Sequence, residues 1–202
     1  MLGLGNILTK GGAVLGFPNK YSFNFDGSND YLDCGTSPLH TLSATTFTIS
    51  CWIKIDNVSS DMNSSIGSLI ADAPALDPTN GGFWLAYDDR DGTHSPVEGI
   101  AYNIKTSAGY QRGKSNNNVI SSGVWHHIAL VLDGQATLYI DGASSTNRTE
   151  DNSGTLSTQS NELTIGSDDT NTYNFNGLID EVAIWDTALS ADDVAKIASK
   201  PV

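Results

Sequence analysis

The chain has 202 residues, 23 Asp and Glu against 10 Lys and Arg, and a formal net charge of −13. That length holds one well-buried domain, and the lack of any basic block excludes nucleic acid and anionic membranes as partners. No stretch approaches the ~20 apolar residues of a membrane-spanning helix.

Taken from the start, residues 1–19 read as an N-terminal arm, Gly-rich and charged only at Lys10, with Pro18 at the junction. The arm lacks a basic start, and Lys10 with Gly11 and Gly12 interrupts its apolar run, so it does not read as a signal peptide. Leu2, Leu4, Ile7, Leu8, Val14, Leu15 and Phe17 are too apolar for a solvated leader, and the glycines deny them a stable helix. The arm is therefore expected to dock on a partner. The domain, 20–199, opens with Tyr21, Phe23 and Phe25 alternating against Ser22 and Asn24, which predicts a strand. A turn at 26–30 and a strand at 31–34 follow. Residues 46–56 form a strong strand with Phe47, Ile49 and Cys51 opposite Trp52. Cys34 and Cys51 both fall in predicted strands and are expected to be buried free thiols.

Strands are expected next at 66–71 and 82–87, divided by a loop that holds Pro74 and Pro78. Two more follow at 99–104 and 110–114. The stretch 123–142, GVWHHIALVLDGQATLYIDG, then reads as a hairpin, because Asp133-Gly134 and Asp141-Gly142 supply the positive φ of tight turns. Ile128, Leu130 and Leu132 share one face of its first strand, while Trp125, His127, Ala129 and Val131 share the other. Both faces are apolar, so the strand is expected to be covered on both sides. Residues 144–160 read as a long polar excursion, 162–166 as a strand and 168–176 as a loop. The final strand, 177–185, alternates Leu178, Asp180, Val182 and Ile184 against Ile179, Glu181, Ala183 and Trp185. Ser190 caps a short helix whose apolar stripe is Leu189, Val194 and Ile197. The sequence shows no internal repeat.

Three strings carry a family resemblance: the hairpin, FNFDGSNDYLDCG with FTISCWIKI after it, and GLIDEVAIWDTALSADDVAKI. Together they resemble laminin-G-like domains, within the wider group of concanavalin-A-like jelly rolls, over nearly the whole chain. The fold class this implies is all-β, a two-sheet antiparallel jelly-roll sandwich with a short C-terminal helix. Some resembling folds carry a structural Ca²⁺ that joins the first strand to the last. Asp26 and Asp180 match those positions, with Asp30 as a third candidate, and hard carboxylate oxygens suit that ion.

Other members of the group are glycosidases, and the laminarinase type carries E-x-D-x-E along one strand. Here only Asp180-Glu181-Val182 comes close, with Asp186 out of phase, so the acid pair for glycosidic cleavage is missing and no catalytic residue is assigned. His126 and His127 are adjacent on a strand, point to opposite faces and cannot ligate one metal together. Sugar binding needs ring faces beside amides and carboxylates. Trp84, Tyr87, Tyr102, Tyr110 and Tyr173 lie in or near segments rich in both and are the candidate ligand contacts. Two functions are expected from this. One is a surface or decoration protein of a tailed-phage virion, with the arm docked on capsid or other virion proteins and a glycan as further ligand. The other is an extracellular lectin-like module of a bacterial surface or polysaccharide-degrading system.

Overall fold

The computed structural model describes residues 21–37, 45–56, 66–79, 81–90, 93, 95–157 and 162–200. The arm at 1–19, with its proposed docking, lies outside the described residues. In chain order the strands are β1 (Phe23–Asp26), β2 (Leu32–Thr36), β3 (Thr46–Ile55), β4 (Ile66–Ala71), β5 (Phe83–Asp88), β6 (Gly99–Thr106) and β7 (Gly109–Lys114). They continue as β8 (Trp125–Asp133), β9 (Gln135–Ile140), β10 (Ala143–Ser144), β11 (Asn147–Asp151), β12 (Glu162–Ile165) and β13 (Asn176–Trp185), before α1 (Ala191–Ala198). Two antiparallel sheets form the expected jelly-roll sandwich. One has six strands in the order β1-β13-β3-β8-β9-β10, the other seven in the order β11-β7-β6-β5-β4-β12-β2.

Period-2 alternation places the core. Phe47, Ile49, Cys51, Ile53 and Ile55 of β3 and Ile128, Leu130 and Leu132 of β8 point inward from the six-stranded sheet. Phe83, Leu85 and Tyr87 of β5 and Ile100, Tyr102 and Ile104 of β6 meet them from the other. The rings of Phe47 and Phe83 close the gap at 6.0 Å between centroids. The second face of β8 is covered as its pattern requires: Ala129 and Val131 lie under Val194 of α1, with Tyr139, Ala188 and Leu189 around them. Ser190 caps that helix, its Oγ accepting from the Asp193 N–H at 3.2 Å and donating to Asp193 Oδ2 at 2.7 Å.

The structure departs from the strict alternation of the last strand. Asp180 pairs with Trp52 but Ala183 with Ser50, so β13 carries one extra residue there, and Glu181 sits at φ 47°. This β-bulge reverses the phase. Ile179 faces the core before it, and Val182 and Ile184 pack against the core after it. Val182 and Trp125 are half-buried. The polar excursion holds two strands: β10 extends the hairpin, and β11 pairs with β7 at the sheet edge. A charged sequence such as Asn147–Asp151 suits an edge strand, where it discourages pairing with another chain. Cys51 is buried and free, and burial pushes its thiol up to about 12. Cys34 is also free but exposed, because β2 forms the outer edge of its sheet.

Candidate functional site

The seven-stranded sheet turns one face to the core and the other outward, and the outward face gathers polar and aromatic side chains. On β5 the outward residues are Trp84, Ala86 and Asp88, and on β6 they are Ala101, Asn103 and Lys105. The register sets Trp84 beside Asn103, Asn103 beside Arg112, and Lys105 beside Tyr110. Trp84 packs with Ile66, Ala71, Ala73, Leu76, Ala86 and Ala101, and Tyr173 lies against this group. Trp84 is 8% exposed and Asn103 5%, yet neither the indole Nε1 nor the amide Oδ1 has a hydrogen-bond partner among the described residues. A buried polar atom left unpaired costs about 1–3 kcal/mol.

Two segments frame this floor. On one side Asp168 is fully buried, its Oδ1 accepting from the N–H groups of Thr172 at 2.7 Å and Tyr173 at 2.8 Å. Its Oδ2 accepts from the Thr170 N–H at 3.2 Å and from the Thr170 hydroxyl. These bonds shape the loop that presents Tyr173, and the Tyr173 carbonyl is pinned to β4 by the Ser68 N–H at 2.9 Å. Arg90 grips the buried Asp88 with two bonds, Nε to Oδ1 at 2.9 Å and Nη2 to Oδ2 at 2.8 Å. The second segment, residues 72–79, leaves β4 through a 3-10 turn at Pro74–Leu76, where Leu76 joins the Trp84 group and holds φ 50°. That left-handed conformation is uncommon for a leucine.

Asp72 begins this segment. Its Oδ1 accepts from the Phe83 N–H at 2.6 Å. Burial pushes its carboxyl up to about 7, against the pull of the Phe83 N–H and the Ser37 hydroxyl, and the charge of Asp169 adds to the rise. Gly82 is required beside it, because a Cβ there would lie 2.4 Å from the Asp72 carbonyl oxygen.

Strand parity divides the five expected aromatic contacts. Trp84, Tyr110 and Tyr173 belong to the outward side. Tyr87 and Tyr102 point into the core at 1% exposure, which leaves no ring face for a ligand and corrects their assignment as contacts. The Tyr110 ring carries two cations, Lys105 Nζ at 4.0 Å and Arg112 Cζ at 4.1 Å from its centroid. Arg112 also pairs with Glu150 at 2.6 Å. Asn103, Lys105 and Arg112 were not singled out by motif; their signal is alternation, since each sits between inward residues on its strand.

The expected calcium ligands do not converge. Asp26 is in register with Asn176, four residues before Asp180, a separation of about 13 Å along the strand. Asp26 and Asp30 share one turn, where Asp30 Oδ2 accepts from the Asp26 N–H at 3.2 Å and Asp26 Oδ1 from the Ser28 N–H at 2.8 Å. Asp180 Oδ1 accepts from the Glu181 N–H within the bulge. One ion therefore cannot take both Asp26 and Asp180, and the residues do not fit the implied ion. Among the described residues no group of three His, Cys, Asp or Glu is placed to hold a metal.

His126 and His127 serve the hairpin. His126 bonds Asp141 Oδ2 through Nδ1 at 2.8 Å, and its Nε2 accepts from the Ser121 N–H at 3.0 Å. Asp141 Oδ1 accepts from the His127 N–H. Burial pushes the Asp141 carboxyl up, but these bonds outweigh it and hold the group below the usual carboxylate range. The His127 ring lies 5.3 Å from Trp52, and burial lowers its pKa to about 4 despite the pull of Asp141.

Comparison with known proteins agrees with the fold. The family model described as the concanavalin A-like lectin/glucanases superfamily matches residues 26–195. No curated protein matches the chain. Among solved structures, the CBM40 of a Ruminococcus gnavus IT-sialidase bound to α2,3-sialyllactose is similar, with TM-score 0.66 and 17% identity over 89% of this chain and 97% of that one. Domain 4 of AbnA, a GH43 extracellular arabinanase from Geobacillus stearothermophilus in complex with arabinotriose, has TM-score 0.57 and 18% identity over 90% and 82%. A heptameric SAP-like pentraxin from Limulus polyphemus has TM-score 0.58 and 17% identity over 87% and 80%.

Proposed function

We infer that this chain, which belongs to the concanavalin A-like lectin/glucanases superfamily, is a non-catalytic glycan-binding module whose ligand lies on the outward face of the seven-stranded sheet. The observation that carries this reading is the pair Trp84 Nε1 and Asn103 Oδ1, one donor and one acceptor, adjacent in register, buried and unpartnered. A sugar offers hydroxyls that accept from the first and donate to the second, and its apolar ring face suits the aromatic surroundings. Both atoms are covered, so the ligand reaches them when Leu76 or Tyr173 moves aside. The left-handed Leu76 makes that segment costly to hold and easier to displace. The similar sialidase and arabinanase modules were solved with sialyllactose and arabinotriose, which supports the same class of ligand here. Asp180 and Glu181, the nearest approach to a catalytic acid pair, sit in the other sheet, away from this face.

A glycan array followed by titration tests the reading. Trp84→Phe keeps one aromatic ring but removes the indole N–H together with the five-membered ring that carries it, and Asn103→Ala removes the carbonyl. Each should weaken the tightest-binding glycan roughly tenfold, as losing one buried hydrogen bond does. Unchanged binding in both variants would move the site elsewhere.

The finer proposal is that the 1–19 arm fixes this module to a virion surface through capsid or other virion proteins. Its support is the apolar composition of the arm. Deleting residues 1–19 should leave the melting temperature nearly unchanged and abolish incorporation into particles. A truncated protein that still assembles would favour the alternative, an extracellular module on a bacterial surface or in a polysaccharide-degrading system.

A further inference from the structure

We propose that the glycan held by this face is acidic, with a carboxylate or sulfate set against Lys105 and Arg112; the inference rests on the glycan-binding reading of the same site. The chain is poor in positive charge, with 10 Lys and Arg in all. Three of these, Lys105, Arg112 and Lys114, nonetheless point out of one face on two adjacent strands. Asn103 stands opposite Arg112 and Lys105 opposite Tyr110, so the four make a square beside Trp84. Both cations are drawn onto the one Tyr110 ring, at 4.0 and 4.1 Å from its centroid. Like charges held this close repel, and a chain with 23 acidic residues had ample means to neutralise them.

It neutralises only one. Glu150 pairs with Arg112, and among the described residues no carboxylate pairs with Lys105. Lys114, on the same face, donates to the Ser95 carbonyl at 3.0 Å. Among the described residues the square therefore keeps a net positive charge and, in Lys105, an ammonium set over a ring with no carboxylate partner. An anion there would gain charge-assisted hydrogen bonds from Lys105 and, through its free edge, from Arg112. The spacing fits a ligand of more than one sugar. β5 and β7 lie two strand spacings apart, about 10 Å, so one ring over Trp84 and Asn103 leaves its neighbour over Lys105 and Arg112.

The test uses acidic sugars with neutral twins: trigalacturonic acid and its methyl ester, α2,3-sialyllactose and lactose, and galactose-6-sulfate and galactose. Titration of the full chain should show at least one acidic member binding about tenfold or more tighter than its twin. That gain should disappear in Lys105→Gln and persist in Lys54→Gln, a control on the six-stranded sheet. Whichever arm shows the gain identifies the anion as carboxylate or sulfate. Neutral members that bind as well as acidic ones, with binding weakened by Trp84→Phe, would overturn the inference and leave the glycan-binding reading standing. An acidic preference that survives both Lys105→Gln and Arg112→Gln would also overturn it. If no sugar on these probes or on the array binds, both readings fall.

Discussion

Replacing Leu130 by alanine should lower the unfolding free energy by about 2–5 kcal/mol, the range for emptying a buried leucine site. Leu130 has no exposure and lies in β8, the strand paired to β3 on one side and β9 on the other. Its immediate neighbours across the ladders are Ile49 and Leu138, both fully buried. Both neighbours are held in hydrogen-bonded ladders, which limits how far the surroundings can collapse to fill the void. Val131→Ala, on the face under α1, should cost less, because fewer methyl groups are removed and the helix can settle. Urea unfolding monitored by circular dichroism measures both. A Leu130→Ala variant as stable as the parent would contradict the central place given to this strand.

Two buried groups should give the protein an unusually flat stability between pH 4 and pH 7, and removing one should expose the other. His127 is held neutral by burial, with a folded pKa of about 4 against an ordinary 6.5. Its unfolded form takes up a proton first, so its contribution is fully present above pH 6.5 and is lost as pH falls towards 4. Asp72 works in the opposite sense. Its folded pKa of about 7 lies above its ordinary 3.8, so its contribution is fully present below pH 3.8 and is lost as pH rises through 7. Each effect is on the order of 3 kcal/mol, and the two windows nearly coincide. Asp72→Asn should therefore gain about 3 kcal/mol relative to the parent between pH 4 and pH 7, and lose stability steeply on acidification. Parallel stability curves for the two proteins across that range would show that Asp72 titrates normally.

The parts legible in the sequence are those where two signals coincide. The hairpin of β8 and β9 shows apolar periodicity between Asp-Gly turns, and the structure places Gly134 at φ 68° and Asp141 at φ 50°. The cover over the second face of β8 was likewise readable, because Ala129 and Val131 demand a partner and α1 supplies Val194. What escaped the sequence has physical causes. The bulge at Glu181 inserts one residue without any Gly or Pro to announce it. β11 is charged because it is an edge, so hydrophobic alternation cannot reveal it. Tyr87 and Tyr102 could be told from Trp84 and Tyr110 only through which way each strand faces, and that depends on the pairing of distant segments. The partnership of Trp84 with Asn103 is a matter of register, which no local pattern encodes.

The central claim is that a glycan binds on the outward face of the seven-stranded sheet, and the indole N–H signals of the four tryptophans test it directly. Trp52, Trp125 and Trp185 belong to strands of the six-stranded sheet, and Trp84 alone belongs to the other. Heteronuclear NMR of the labelled chain during titration with the tightest-binding glycan separates these four signals, with Trp84→Phe assigning one of them. The Trp84 indole and the Asn103 side-chain amide should shift progressively to saturation while the other three indoles stay in place. Saturable shifts confined to Trp52, Trp125 or Trp185, with Trp84 unmoved, would contradict the claim.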